Sequence, residues 1–167
     1  MQNFEQIRPA GPSDLFRLTE IYNEAIRTGR CTGDTREFSA DERLPWFQEH
    51  LDPSYPLFVF ERDGHVLGYL YLTAYRKGRG ALRGTVEVSY YLDFRFHGQG
   101  IGSRLLAHGI DAARAIGYHT MLAILLSCNE KSAALLRKFG FEQWGYLPDV
   151  ARIRGERHSH LYFGKQL

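Results

Sequence analysis

The spacing of apolar and polar positions divides the chain into stretches of period two and of period three to four. Leu15, Leu18, Ile21, Tyr22, Ala25 and Ile26 make one helical stripe that Ser13 or Asp14 can cap and that fades at Thr28 and Gly29. Ahead of it, Ile7 and Arg8 open a short strand closed by the turn-formers Pro9, Gly11 and Pro12. Residues 30–38 read as loop. Ser39 or Asp41 can cap a second short helix through Leu44, Trp46 and Phe47, before Pro53 and Pro56 stop it. Strands over Leu57 to Glu61 and Val66 to Thr73 flank the hairpin signal Asp63-Gly64.

The stretch Tyr75 to Gly84, glycine-rich and basic, is a loop. Thr85 to Leu92 then alternates strictly, with Val86, Val88, Tyr90 and Leu92 on one face and Glu87, Ser89 and Tyr91 on the other. Glu87 is therefore a carboxylate inside a strand. Ile101, Leu105, Leu106, Ala112, Ala113 and Ile116 predict a helix over Gly100 to Ile116, stopped by Gly117. Met121 to Leu126 is apolar throughout, as a strand covered on both faces must be. A helix over Asn129 to Lys138 ends at Gly140. Two last strands, around Trp144 to Leu147 and His158 to Phe163, are separated by the turn signal Arg154-Gly155. No repeat, low-complexity tract or linker interrupts this α/β order, so a single domain over residues 1–167 is expected.

Composition narrows the function classes. At 167 residues, 44% hydrophobic and 24% charged, the chain can bury one core without disulfides or structural metal. The net charge is +2, and the basic residues are scattered among acids, so nucleic acid is not the expected partner. There is neither a secretory leader pattern nor an apolar run of membrane-spanning length, which makes a cytoplasmic location the expectation and a membrane an unexpected partner. Cys31 and Cys128 lie far apart without metal-ligand spacing, so no metal site is expected. They read as ordinary thiols, or Cys128 as an acyl-accepting nucleophile if a base stands near it.

The chemistry concentrates between Leu92 and the helix at Gly100, where His97-Gly98-Gln99-Gly100-Ile101-Gly102 forms a strand, glycine-rich turn and helix arrangement. Glycines let backbone amides approach a phosphate, and the free N–H groups and dipole of the first helical turn attract it. A dinucleotide fingerprint would need glycine where Ser103 stands and an acid after the next strand, where Ser127 and Cys128 stand. A nucleoside-triphosphate loop would need Gly-Lys followed by Ser or Thr. A purely structural tight turn is the plain alternative.

This segment resembles the signature of the GNAT superfamily of N-acetyltransferases, in which Gln or Arg is followed by two residues, Gly, one residue, and Gly or Ala. Gly100 and Gly102 match, while His97 stands where Gln or Arg is usual. Asn129, Ser132, Leu135 and Phe139-Gly140-Phe141 extend the likeness, as does the element order. Thr85-Val86-Glu87-Val88-Ser89 with Tyr91, Trp144-Gly145 and Gly155-Glu156-Arg157-His158 most resemble the phosphinothricin and methionine sulfone acetyltransferase group. The resemblance implies a central mixed, twisted sheet of about six to seven strands with helices on both faces. It implies acetyl-CoA as acetyl donor, its pyrophosphate held by Gly98, Gln99, Gly100, Ile101, Gly102 and Ser103. Tyr90, Tyr91 and Leu92 would flank the acetyl group, with an amide near Tyr91 on its carbonyl oxygen and Asn129 and Ser132 alongside. Asn129 also reads as a helix cap.

An alkyl ammonium must lose a proton before it attacks a thioester, and Glu87 is the candidate base; its plain alternative is a solvated or salt-bridged strand residue. Arg83, Thr85 and His158 are the candidate substrate contacts, Arg83 through a bidentate grip on a carboxylate. Tyr22, Phe38 and Trp46 read as substrate wall or core. Where many relatives carry a tyrosine that protonates the departing thiolate, this chain has Leu136. The expected acceptor is the primary amine of an amino acid or analogue such as phosphinothricin, methionine sulfone or methionine sulfoximine. Peptide or protein amino termini, polyamines and a non-catalytic acetyl-CoA sensor are the alternatives. The resembled group also implies a homodimer.

Overall fold

The computed structural model describes residues 4–167. The elements run in the order β1 (Glu5–Pro9), α1 (Leu15–Thr28), α2 (Ala40–Glu49), β2 (Leu57–Arg62), β3 (His65–Ala74), β4 (Thr85–Leu92), α3 (Ile101–Ile116), β5 (Thr120–Leu126), α4 (Glu130–Lys138), β6 (Glu142–Ile153) and β7 (Glu156–Gln166). All seven strands join one sheet, in the order β1-β2-β3-β4-β5-β7-β6. Every pairing is antiparallel except β4 with β5, which α3 connects as a crossover.

Local chemistry accounts for the boundaries. Ser39 caps α2 and forms a reciprocal box with Glu42: Ser39 Oγ accepts from the Glu42 amide at 3.2 Å, and Glu42 Oε2 accepts from the Ser39 amide at 2.8 Å. Helix α1 ends at Gly29 in the left-handed conformation, φ 65°. Asp63-Gly64 and Arg154-Gly155 all have positive φ, the backbone that closes a two-residue hairpin. The last hairpin is longer than its apolar pattern predicts. Strand β6 spans Glu142–Ile153 rather than Trp144 to Leu147, because pairing with β7 continues through residues that stay exposed on both faces.

Alternation along the strands divides the core in two. Leu57, Val59, Val66 and Tyr69 pack with Leu18, Ile21 and Phe47 under α1 and α2. Phe60, Leu70, Leu72, Val86 and Val88 pack on the opposite face with Leu105, Leu106, Ile110 and Leu136 from α3 and α4. The expected helices on both faces of a mixed sheet are present. No helix among the described residues is long and apolar enough to cross a membrane.

Two features of the sheet create the site. The parallel pairing of β4 and β5 joins only Thr85, Val86 and Glu87 to Thr120, Met121 and Leu122, after which the strands part. Beyond that rung β4 is paired with β3 and β5 with β7, leaving a V between them whose edges carry unpaired backbone groups. The side of each β4 amide follows from two bonds at its ends. Gly84 C=O accepts from Thr120 N–H on β5, and Asp93 N–H donates to Leu67 C=O on β3. Alternation then turns the amides of Val88, Tyr90 and Leu92 toward the V, and that of Tyr91 toward β3.

Candidate active site

A groove of about 720 Å³ runs from the V across the start of α3. Its walls include Tyr90, Tyr91, Leu92, Gly98, Gly100, Ile101, Gly102, Ser103, Asn129 and Ser132. All the expected cofactor contacts are therefore brought together except Gln99. Its side chain turns away to accept a 2.8 Å hydrogen bond from Arg62 Nη1, because Gly98 and Gly100, with φ of 78° and 79°, swing the intervening residue outward. The first backbone bond of α3 runs from Arg104 N–H to Gly100 C=O, so the amides of Ile101, Gly102 and Ser103 have no partner within the helix. A Cβ on Gly102 would lie 3.3 Å from Leu135 and narrow the passage. This is an anion cradle at a helix amino terminus, with Arg30 and Lys131 on its rim.

The turn feeding that cradle is held from beneath. Asp93 is fully buried and ion-paired with Arg17 of α1 and with Arg95, the latter at 2.6 Å. The Arg95 guanidinium is the main cause that holds its carboxyl down at about 2. His97, standing where the signature has Gln or Arg, stacks on Phe94 at 4.5 Å and lies 3.4 Å from the Leu92 carbonyl, so its ring braces the turn. Asn129 caps α4, its Oδ1 accepting from the Ser132 amide at 3.3 Å, and it also lines the groove. Cys31 and Cys128 are free and both line the groove. Burial pushes the Cys128 thiol up, the opposite of what an activated nucleophile needs.

Glu87 stands at the last paired rung, opposite Leu122 of β5 and Thr73 of β3. It is half-buried, and no ion pair holds it among the described residues. The salt-bridged alternative is thereby removed. Burial alone pushes its carboxyl above the usual range. On the same face and beside it opens a hollow of about 500 Å³, lined by Tyr75, Thr85, Thr120, Leu122, Trp144 and Tyr162 among others. Gly164 makes this hollow possible: a Cβ there would lie 1.9 Å from the Trp144 ring.

The other expected substrate contacts fare unequally. Thr85 lines the hollow. Arg83 is exposed on the loop before β4 and forms no ion pair among the described residues. His158 is not brought to Glu87. Leu122 pairs with Gly164, and His158 lies six residues further along β7, about 20 Å at strand rise, with Glu156 as its charged neighbour at 3.7 Å. The spacing in sequence carried no information about that offset.

Tyr22 and Trp46 belong to an aromatic layer under α1 and α2 that sequence reasoning only partly found. Arg43 stacks between them, 4.0 Å from the Tyr22 ring and 3.9 Å from Trp46. Tyr91 meets Tyr22 edge-on at 4.9 Å, and Phe38 tilts against Tyr22 at 6.2 Å. The layer also includes Tyr69 and Tyr71, whose period-two spacing on β3 was the available signal. Among the described residues no three metal-ligating side chains cluster.

Residues 17–141 match the model of the acetyltransferase (GNAT) family. A Pseudomonas aeruginosa L-methionine sulfoximine/L-methionine sulfone acetyltransferase is 39% identical over 152 residues, 89% of this chain and 87% of its own length. A Streptomyces coelicolor phosphinothricin N-acetyltransferase is 37% identical, covering 97% and 96%. Among solved structures, a GNAT superfamily phosphinothricin acetyltransferase from Sinorhizobium meliloti in complex with acetyl-CoA superposes with a TM-score of 0.92 at 32% identity, covering 98% of this chain and 88% of that one.

Proposed function

The chain belongs to the GNAT acetyltransferase family, with acetyl-CoA as its acetyl donor, and from that premise we propose that it acetylates the primary amine of an amino acid or amino-acid analogue, with Glu87 as general base. Phosphinothricin, methionine sulfone and methionine sulfoximine are the leading acceptors, by likeness to relatives that carry those names. The observation that carries the reading is the position of Glu87, unpaired and half-buried at the rung where β4 and β5 part, with the groove on one side and the hollow on the other.

In this reading the chain of Gly98, Gly100, Ile101, Gly102 and Ser103 binds the pyrophosphate through backbone amides, with Asn129 and Ser132 beside the pantetheine arm. The gap-facing amides of Tyr90 and Leu92 flank Tyr91 and are the donors available to the thioester oxygen as negative charge grows on it. The hollow holds the acceptor against Thr85, Trp144 and Tyr162, while Arg83 lies on the exposed loop before β4. Glu87 takes the ammonium proton, directly or through one water, and its raised pKa suits a base working near neutrality. The freed amine attacks without an acyl-enzyme, so neither cysteine takes part.

A second copy of the chain completes the assembly in this reading. Strand β6, at the edge of the sheet, leaves Trp144, Tyr146, Leu147 and Val150 exposed. Purified protein with acetyl-CoA, assayed for thiol release over phosphinothricin, methionine sulfone, methionine sulfoximine, ordinary amino acids, polyamines and short peptides, tests the acceptor class. Saturable release with an amino-acid analogue supports the reading; release with peptides or polyamines alone replaces it with a broader-groove transferase.

A further inference from the structure

The transferase reading, which the proposal takes as its premise, leaves one charge without a partner. When the carbon–sulfur bond of the thioester breaks, the electron pair goes to sulfur, and a thiolate forms inside the groove. Leu136, the helical position where the resemblance sets a tyrosine, is 1% exposed and buried in the core, so no α4 side chain from that position meets the sulfur. The groove contains another phenol. Tyr90 lies on the face of β4 turned toward α3 and α4, and its hydroxyl oxygen accepts a 3.0 Å hydrogen bond from Ser132 Oγ. Both side chains line the groove beside Asn129 and Leu135.

The direction of that bond matters. Ser132 donates and Tyr90 accepts, so the phenol's own proton is not spent on Ser132, and among the described residues it has no acceptor. The phenol is part-buried and lines the groove, so its proton is free to point at a ligand atom bound there. We propose that Tyr90 donates this hydrogen bond to the departing sulfur and stabilises CoA as a thiolate, with Ser132 positioning its hydroxyl. Burial pushes the phenol up to about 12, well above a thiol near 8.5, so the proton stays on Tyr90 while it is shared. The nitrogen gives up two protons: the ammonium's, which Glu87 relays to solvent before attack, and the one it carries once bonded to the carbonyl carbon, which Glu87 then takes; CoA takes its own proton from solvent after release. Tyr90 thus acts as a charge-stabilising donor rather than an acid.

The test uses CoA itself, without turnover. Thiolate absorbance of CoA bound to the whole chain, titrated with pH, is expected to show the thiol ionising at lower pH than free CoA, and Tyr90→Phe is expected to abolish that shift. Ser132→Ala gives a smaller loss. Single-turnover acetyl transfer by Tyr90→Phe should fall about tenfold to a hundredfold, the range of a charge-assisted hydrogen bond, while acetyl-CoA affinity is unchanged. A thiol that titrates alike in the wild type and Tyr90→Phe overturns the proposal. So does tyrosinate absorbance on CoA binding, which would mean full proton transfer, or a Tyr90→Phe chain that loses acetyl-CoA binding altogether, which would make the phenol only a wall. A wild type that fails to bind CoA defeats the transferase reading itself, an outcome distinct from the other three.

Discussion

At the scale of single residues, the decisive quantity is the cost of holding charge away from water. Among the described residues no cation offsets the burial of Glu87, so its carboxyl is raised. A carboxyl whose pKa is higher folded than unfolded favours the folded chain while protonated, and that contribution fades as pH climbs through the folded value. Glu87→Gln is therefore expected to melt at a higher temperature than wild type at pH 7 while its kcat falls about 10²–10⁴-fold, with acetyl-CoA affinity kept; calorimetry and steady-state kinetics on one preparation check both. Asp93 has the opposite sign. Its lowered pKa supplies stability that is complete above the unfolded carboxyl value near 4 and is lost as pH falls toward about 2. Asp93→Asn should cost about 2 kcal/mol at neutral pH and flatten the acid limb of a pH–stability curve, since Arg17 and Arg95 lose their shared carboxylate. Glu87 was legible as a strand carboxylate from alternation alone. Its lack of a partner was not, because the neighbours that decide it come from β3 and β5.

At the scale of elements, glycine and register matter more than propensity. The turn before α3 was readable because Gly98, Gly100 and Gly102 are close in sequence and act on their own backbone. The hollow was not, since its wall is Trp144 of β6 resting on Gly164 of β7, twenty residues apart and brought together by a bulged antiparallel pairing. Gly164→Ala would place a methyl within 1.9 Å of the indole and push the ring aside. The expected result is a rise of about tenfold in KM for the acceptor, roughly 1.4 kcal/mol, with the Kd for acetyl-CoA unchanged, because the groove lies on the other side of the β4–β5 rung. Equal losses for both ligands in a titration would show that the strand, rather than the hollow, had been damaged.

At the scale of the whole molecule, the edge strand β6 keeps large apolar side chains in solvent. Tyr146 and Val150 are each 57% exposed on β6, a large apolar surface for a lone chain. If a second copy covers it, Val150→Glu should shift the mass seen by light scattering from twice the chain to once the chain at micromolar concentration, with little change in acetyl-CoA affinity. An unaltered mass would remove β6 from the interface.

The sequence by itself determined what depends on neighbours along the chain: the order of elements, a cap at Ser39 or Asp41, the helix stop at Gly29, the hairpin turns, the amide cradle ahead of α3 and the two-faced pattern of β4. These follow from local sterics and from side-chain periodicity, which act within a few residues. Tertiary structure alone decided where β4 and β5 part, which amides of β4 face that gap, that His158 stands about 20 Å along β7 from the rung of Glu87, and that Tyr90 meets Ser132 across the groove. Strand register is set by the packing of both faces at once. A shift of one residue would invert every side chain, and nothing within a single strand specifies its partner.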